Sequence, residues 1–370
     1  MTKQTLQYAP DYAVAPGETL QEILVDRQMT QAELARRTDR PLKTINEIIN
    51  GKAAITPETA LQLERVLGVP DRVWNNLEVR YRAALARAEE RRQLAREVDW
   101  LNQMPVAEMI KHGLIPRLPD RATTLAEVLR FFGVSTTSAW ERQWASTETA
   151  FRQAVKFSIS PTAVAVWLRW GELKAQEIKC APYDPSRFRA ALDRIKPLTR
   201  EDPAVFVPAV QGACAAAGVA VVFIPELPET RVSGATRWLS SEKAVIQLSL
   251  RYKTNDQLWF TFFHEAGHIL LNAKRDLVLE GTEGVIDAAK EEAANRFATE
   301  VLIPRGAFGE FIRGAYDSAP VIENFANRLG IAAGIVVGRL QHEQLLPYNS
   351  SCNRLKRSLR WSASSSDHAH

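Results

Sequence analysis

A mainly α protein with a small β-sheet is the fold this sequence predicts. Three observations lead there: a chain of helix start and stop signals through the first part of the sequence, proline-punctuated amphipathic stretches through the middle, and one short β run followed by a hairpin late in the chain. In order, the prediction is a five-helix N-terminal domain, a helical middle region and a C-terminal α+β domain, with boundaries at residues 1–84, 85–200 and 201–359 and a disordered tail over 360–370.

Pro16-Gly17 precedes the first helices. Thr19-Leu20-Gln21-Glu22 and Thr30-Gln31-Ala32-Glu33 both read as capping boxes, in which a threonine hydroxyl and a glutamate three residues later satisfy each other's backbone donors. The second helix ends near Thr38-Asp39-Arg40. Pro41 starts a third, Leu42 to Asn50, closed by Gly51, with Leu42, Ile45, Ile48 and Ile49 as its buried stripe and Lys43, Thr44, Asn46, Glu47 and Asn50 outside. Thr56-Pro57 opens a fourth helix running to Gly68, and a long arginine-rich fifth starts near Asp71 and carries Trp74, Leu77, Tyr81 and Leu85. Two short helices joined by a tight turn, the second polar on its outer face, form a helix-turn-helix pattern. On physics alone a small helical bundle with a solvated face accounts for it equally well.

The middle region is amphipathic at Pro105 to Ile115, Thr124 to Phe132, Pro161 to Ile178 and Ser186 to Ile195. Trp140 with Trp144, and Trp167 with Trp170, are helically spaced pairs, for which core packing is the plainer role. Pro203 to Ala217 reads as a helix feeding the β run Val219 to Ile224, and Ala235 to Leu239 with Ala244 to Leu248 as a hairpin. An edge strand here could add an extended peptide to the sheet.

The chemistry concentrates in His264-Glu265-Ala266-Gly267-His268, set between the apolar runs Leu258 to Phe263 and Ile269 to Leu271. On a helix the two histidines lie one turn apart on one face and can bind one metal ion, with Glu265 beside it as base. A bare HExxH occurs by chance in many chains. Here the flanks would bury both rings, and a third ligand is at hand in Lys290-Glu291-Glu292-Ala293-Ala294-Asn295, where Glu291 and Asn295 share a helix face. Ala294, Phe297, Ala298, Val301 and Leu302 form that helix's buried stripe. Glu292 is the rival third ligand.

Composition bounds the rest. A chain of 370 residues has room for two or three domains, and a net charge of +4 is too small to argue for nucleic acid without a localised patch. Cys180, Cys214 and Cys352 show no paired spacing, so no disulfide framework is expected. With neither a signal-peptide pattern nor a membrane-length apolar run, the expectation is a cytoplasmic protein and no membrane partner. His342, near a helix end in the C-terminal tail, could donate to a tetrahedral oxyanion, although a lone histidine there is more often a surface or cap residue. His112 has weaker claims, and His368 and His370 fall in the serine-rich end.

Two resemblances add to this reading. The stretch from about Gly218 to Pro304, with Arg231-Val232-Ser233-Gly234-Ala235-Thr236-Arg237-Trp238, the HEAGH motif and ExxANRFAxxxLIP, resembles the ImmA/IrrE family of bacterial metallopeptidases. That implies a zincin-like (gluzincin) fold, Zn2+ on His264, His268 and Glu291, Glu265 as catalytic base, and Asn295 orienting a ligand from behind. It favours Glu291 over Glu292, being four residues before Asn295. Pro16 to about Ala84 is similar to the Xre-type helix-turn-helix family, above all its HigA-like antitoxins, through PGETLQEIL, MTQAELARRT and KTINEIINGKAAITPETALQLERVLG. That implies operator DNA as partner, commonly through a homodimer, with Pro41 to Asn50 as recognition helix. Gln31 and Lys52 would then meet phosphates, and Arg40, Lys43, Thr44 and Glu47 base edges; Glu47 can only accept from a base. Together they imply a DNA-binding transcriptional regulator fused to a zinc endopeptidase whose substrate is an Xre-type repressor or antitoxin, in stress response or mobile-element control. The competing account is a non-catalytic regulator whose peptidase-like domain senses metal or binds a partner.

Overall fold

A computed structural model describes residues 14–144, 160–271, 278–279 and 288–361. The irregular start, most of the serine-rich end, and His368 and His370 lie outside the described residues. The chain forms two compact units, residues 1–99 with 118–126, and residues 100–117 with 127–370.

The first unit contains α1 (Pro16–Asp26), α2 (Gln31–Arg37), α3 (Leu42–Ile49), α4 (Pro57–Leu67) and α5 (Asp71–Arg96). α1 begins ahead of the expected Thr19 box. Pro16 takes the first helical position after Ala15, and it is Glu18 that reaches back to the Ala15 N–H, at 3.4 Å. The second box holds, with the Glu33 N–H on Thr30 Oγ1 at 3.1 Å. Leu20, Leu24, Leu34, Ile45, Leu63 and Trp74 make the core, each worth roughly 1.5–3 kcal/mol of burial. Leu42 does not join this core. It is 50% exposed, at the first position of α3. Gly17 is where α1 crosses α3: a Cβ there would stand 2.2 Å from Ile48 O. The Glu78 carboxylate on α5 ties down the loop before α4 by accepting from Ile55 N–H at 3.0 Å, while Arg82 Nε donates to it at 2.7 Å.

The second unit contains α6 (Val106–Lys111), the second half of α7 (Arg121–Phe132), α8 (helical over 137–144), α9 (Pro161–Glu177), α10 (Pro185–Ile195) and α11 (Pro203–Ala215). Then come β1 (Val219–Phe223), β2 (Gly234–Ser240), β3 (Lys243–Leu248), α12 (Asn255–Leu271), the short β4 (Val278–Leu279), α13 (Ala288–Leu302), α14 (Arg305–Phe311), α15 (Ala319–Leu329) and α16 (Ala333–His342). The sheet order is β1-β3-β2-β4, with β1 parallel to β3 and β2 antiparallel to both its neighbours. β1 and β3 are buried at every residue but Phe223 and Lys243 rather than alternately, because both faces are covered. On one face lies α9, where Trp167 Nε1 donates to Ile224 O at 3.3 Å and Gln247 Nε2 donates to Trp167 O at 2.7 Å. On the other, Val219, Val221, Ile246 and Leu248 meet Trp259, Phe262 and Phe263 of α12.

Trp140 and Trp144 stack on each other at 6.3 Å and are buried, so they are core. The strap after α16 pins the start of α12. Asn255 and Arg357 exchange two hydrogen bonds, at 3.0 and 2.9 Å, and Lys356 Nζ lies 2.7 Å from Asp256 Oδ2. Cys180, Cys214 and Cys352 are free thiols, and burial pushes the Cys214 thiol far up, which makes it inert. No single helix among the described residues is long and apolar enough to cross a membrane.

Candidate metal centre

α12 is a proline-free helix with Asp256 in its first turn, where a carboxylate complements the helix dipole. It is buried along almost its whole length, so the polar triplet His264, Glu265 and His268 lies inside the protein, at 1%, 0% and 2% exposure. Such groups need partners, and α13 supplies them for the two histidines. Gly267 makes the approach close: a Cβ at this position would stand 3.1 Å from Phe297 Cδ1 and 3.2 Å from the Ala294 Cα. With Ala294 and Ala298 fully buried on the facing side, two small-residue surfaces meet and carry Glu291 to the histidines.

The two imidazole Nε2 atoms converge at 2.9 Å. Glu291 Oε2 lies 3.3 Å from His264 Nε2 and its Oε1 lies 3.1 Å from His268 Nε2. Burial pushes the Glu291 carboxyl up, but the hydrogen bonds and charge of the two imidazoles outweigh it and hold the group at about 2. The three ligand atoms lie within 4.8 Å of one another. Asn295 Oδ1, one turn beyond Glu291, accepts from His264 Nδ1 at 2.9 Å, which orients the ring with Nε2 facing the cluster. Two imidazole nitrogens and one carboxylate, oriented from behind, are the donor set of an open zinc site, and these residues fit that ion. Glu292, the rival ligand, points elsewhere and pairs with Arg296 in solvent.

Glu265 does not join the donor cluster. The Thr236 hydroxyl of β2 donates to its Oε2, and also reaches the Glu265 carbonyl at 3.3 Å. Gly234, on the same strand, leaves the space the carboxylate occupies, since a Cβ there would meet Glu265 Oε1 at 2.6 Å. Thr236 and Gly234 stand in the quoted RVSGATRW stretch, yet residue type alone gave neither a role. The outer edge of β2 is paired by β4 at Ala235 and Thr236, so the sheet edges are β1 and β4. His342 is exposed at the end of α16, in the wall of a cavity that Asn295 also lines. His112 packs against Trp170 at 5.1 Å, and burial lowers its pKa.

In the first unit, Lys43 and Lys52 are exposed, and Lys43 lies 3.8 Å from Glu47, which offsets its charge. Thr44 and Glu47 are half-buried on α3. Gln31 is tied into the fold, donating to Gln21 Oε1 at 3.0 Å and accepting from Asn46 at 3.3 Å. Arg40 donates to Gln62 Oε1 on α4.

The molecule thus joins a helix-turn-helix unit to a metallopeptidase-like α+β unit with a two-histidine, one-glutamate cluster. Comparison with known proteins gives the same two parts. Residues 20–74 match the helix-turn-helix family, and residues 214–341 match the IrrE N-terminal-like domain family of peptidases. The uncharacterized HTH-type transcriptional regulator YddM of Escherichia coli strain K12 is 36% identical over 75 residues, which are 20% of this chain and 78% of that protein. The chain belongs to the helix-turn-helix transcriptional regulators, with an ImmA/IrrE-like peptidase domain fused behind. Among solved structures, an addiction module antidote protein of the HigA family from Coxiella burnetii is 29% identical, over 23% of this chain and 94% of that one, with a TM-score of 0.21. The antitoxin HigA of Pseudomonas aeruginosa, solved with the higBA promoter, is 30% identical over 23% and 95%, with a TM-score of 0.22.

Proposed function

We propose that this protein is a cytoplasmic zinc endopeptidase that binds operator DNA through its own helix-turn-helix unit and cleaves a repressor or antitoxin of the Xre type. The observation that carries the peptidase reading is the fully buried Glu265 held beside, and outside, the cluster of His264, His268 and Glu291. A pure metal sensor has no use for a second buried carboxylate that costs desolvation and stands outside the ligand set.

In this reading His264, His268 and Glu291 hold the ion, and Asn295 fixes the His264 ring. Bound zinc would supply Lewis acidity, lowering the pKa of a water and polarising the scissile carbonyl. Glu265 takes the proton from the attacking water and hands it to the leaving amine. Thr236, donating to Oε2, holds the carboxylate in that direction and keeps the other oxygen for the proton. His342 is a candidate donor to the developing oxyanion only if substrate draws it inward, since it is exposed here.

For DNA, the supporting features are the short helices α2 and α3 and the outward Lys43 and Lys52. Gln31 and Lys52 are assigned to phosphates, and Lys43, Thr44, Glu47 and Arg40 to base edges of a two-fold operator read by a homodimer. Arg40 must first leave Gln62, and Lys43 must leave Glu47. Zinc titration of the metal-free protein tests the first half: one equivalent is expected to bind, to persist in Glu265→Gln and to be lost in His268→Ala. Gel-shift against the protein's own promoter region tests the second, with Lys43→Ala weakening binding at moderate salt. An unchanged affinity in a folded Lys43→Ala protein would remove α3 as the recognition helix.

A further inference from the structure

α3 turns one polar ridge outward. Lys43, Asn46 and the capping Asn50, at i, i+3 and i+7, are exposed, while Thr44 and Glu47 are half-buried. We propose that Asn46 reads one adenine in the major groove and so sets the sequence preference of the operator, with Gln31 as the residue that positions it; this rests on the DNA-binding reading and adds a base contact to those assigned above.

Geometry is the first argument. Asn46 stands at the centre of a chain of side-chain amides that links three helices. Its Nδ2 donates to Gln31 Oε1 on α2 at 3.3 Å, and Gln31 Nε2 donates to Gln21 Oε1 on α1 at 3.0 Å. From the other side Asn50 Nδ2 donates to Asn46 Oδ1 at 3.1 Å and to the Asn46 carbonyl at 2.8 Å. Gln21 and Gln31 are half-buried, so the chain is anchored within the fold and emerges at Asn46. A surface amide held on both sides has less rotamer freedom to lose on binding than a free one.

Hydrogen-bonding capacity is the second argument, and it chooses the base. A carboxamide carries two N–H donors and an oxygen with two lone pairs. Gln31 takes one donor of Asn46 and Asn50 takes one lone pair. One donor and one acceptor remain on the same planar group. In the major groove adenine alone offers an acceptor, N7, beside a donor, N6; guanine shows two acceptors, cytosine a donor and thymine an acceptor. The charged neighbours on α3 cannot make that match. Lys43 only donates, and Glu47 only accepts and lies 3.8 Å from Lys43. Gln31 keeps its second N–H for the phosphate assigned to it, so backbone contact and base reading meet in one side chain.

The test uses the full-length protein and a library of duplex DNA with a randomised central segment, from which bound sequences are selected and counted. Wild type is expected to select a two-fold site with one adenine per half-site that depends on both its major-groove groups. Replacing that adenine by 7-deazaadenine, which lacks N7, or by purine, which lacks the N6 amino group, is expected to lower affinity about tenfold. Asn46→Ala, an exposed change that should leave the melting temperature unaltered, is expected to lose the preference at that position alone and to become indifferent to both analogues. Asn46→Asp, which keeps the acceptor and removes the donor, is expected to lose the preference for adenine as well. Gln31→Ala should weaken the same preference, whereas Lys52→Ala, on a phosphate contact, should lower affinity for all sequences alike and leave the preference intact. A selected site whose preferences all survive Asn46→Ala, an Asn46-dependent preference for another base, or an adenine insensitive to both analogues would overturn the assignment and leave the DNA-binding reading standing. Selection of no sequence by folded wild-type protein would take down that reading and this one together.

Discussion

The Thr236 hydroxyl donates to Glu265 Oε2 across the gap between β2 and α12, so the buried carboxylate is aimed by the sheet and not by its own helix. A group with no exposure depends on such donors, because no water replaces them. Thr236→Val, close in shape but without the hydroxyl, should lower stability by about 1–3 kcal/mol, read as a fall in melting temperature, while zinc stoichiometry holds at one. It should also reduce turnover far more than substrate affinity, since Glu265 acts on the proton and not on binding. An unchanged melting temperature and unchanged turnover would leave Thr236 without the role assigned to it.

Gly267 sets how near α13 comes to α12. Contacts of 3.1 and 3.2 Å for an added Cβ ask the neighbours to yield slightly, and further branching asks for more. Gly267→Ala should weaken zinc binding modestly and Gly267→Val severely, measured by competition with a chelator. Equal zinc affinity in the valine variant would mean that helix spacing does not govern the site.

Glu291 and Glu292 are neighbours with opposite fates, one on the histidines and one paired with Arg296 in solvent. Glu291→Gln should cost zinc affinity by one to several orders of magnitude, whereas Glu292→Gln should bind as wild type, an exposed pair being worth only about 0–1 kcal/mol. The reverse result would move the third ligand by one residue.

In the first unit, Gly17 allows α1 to touch the end of α3, where a Cβ would stand 2.2 Å from a backbone oxygen that cannot swing away. Gly17→Ala should therefore destabilise the helix-turn-helix unit by about 1–3 kcal/mol or more and weaken operator binding with it. Circular dichroism on heating and a gel-shift with the same sample read both effects. A variant as stable as wild type would place the crossing elsewhere.

Helix boundaries in the first unit were legible where a side chain caps: Thr30 and Thr56 both do so, with Glu33 and Thr59 as donors. Thr19 misled because the same pattern lies inside α1, where Pro16 had already set the first turn. Leu42 misled because stripe membership by spacing does not say which turns of a helix are covered by the rest of the fold. In the second unit the hairpin and both site helices followed from alternation and from HEAGH with Glu291 and Asn295. What the sequence withheld was long-range. No spacing rule connects Thr236 to Glu265 or Asn255 to Arg357, and the covering of the sheet by α9 through Trp167 and Gln247 depends on tertiary packing. The cavity that Asn295 and His342 line is likewise built from residues spread over several elements from Ser233 to His342, a grouping invisible in one dimension.

The measurement that meets the central claim most directly is a comparison of new protein N-termini in host cells expressing wild-type protein or Glu265→Gln, with and without DNA damage. The account predicts termini that appear only with wild type, within a helix-turn-helix repressor or antitoxin, from a protein that carries one zinc in both forms. Identical termini in the two strains, with zinc bound in both and across the stresses applied, would contradict a peptidase and leave a metal-binding regulator.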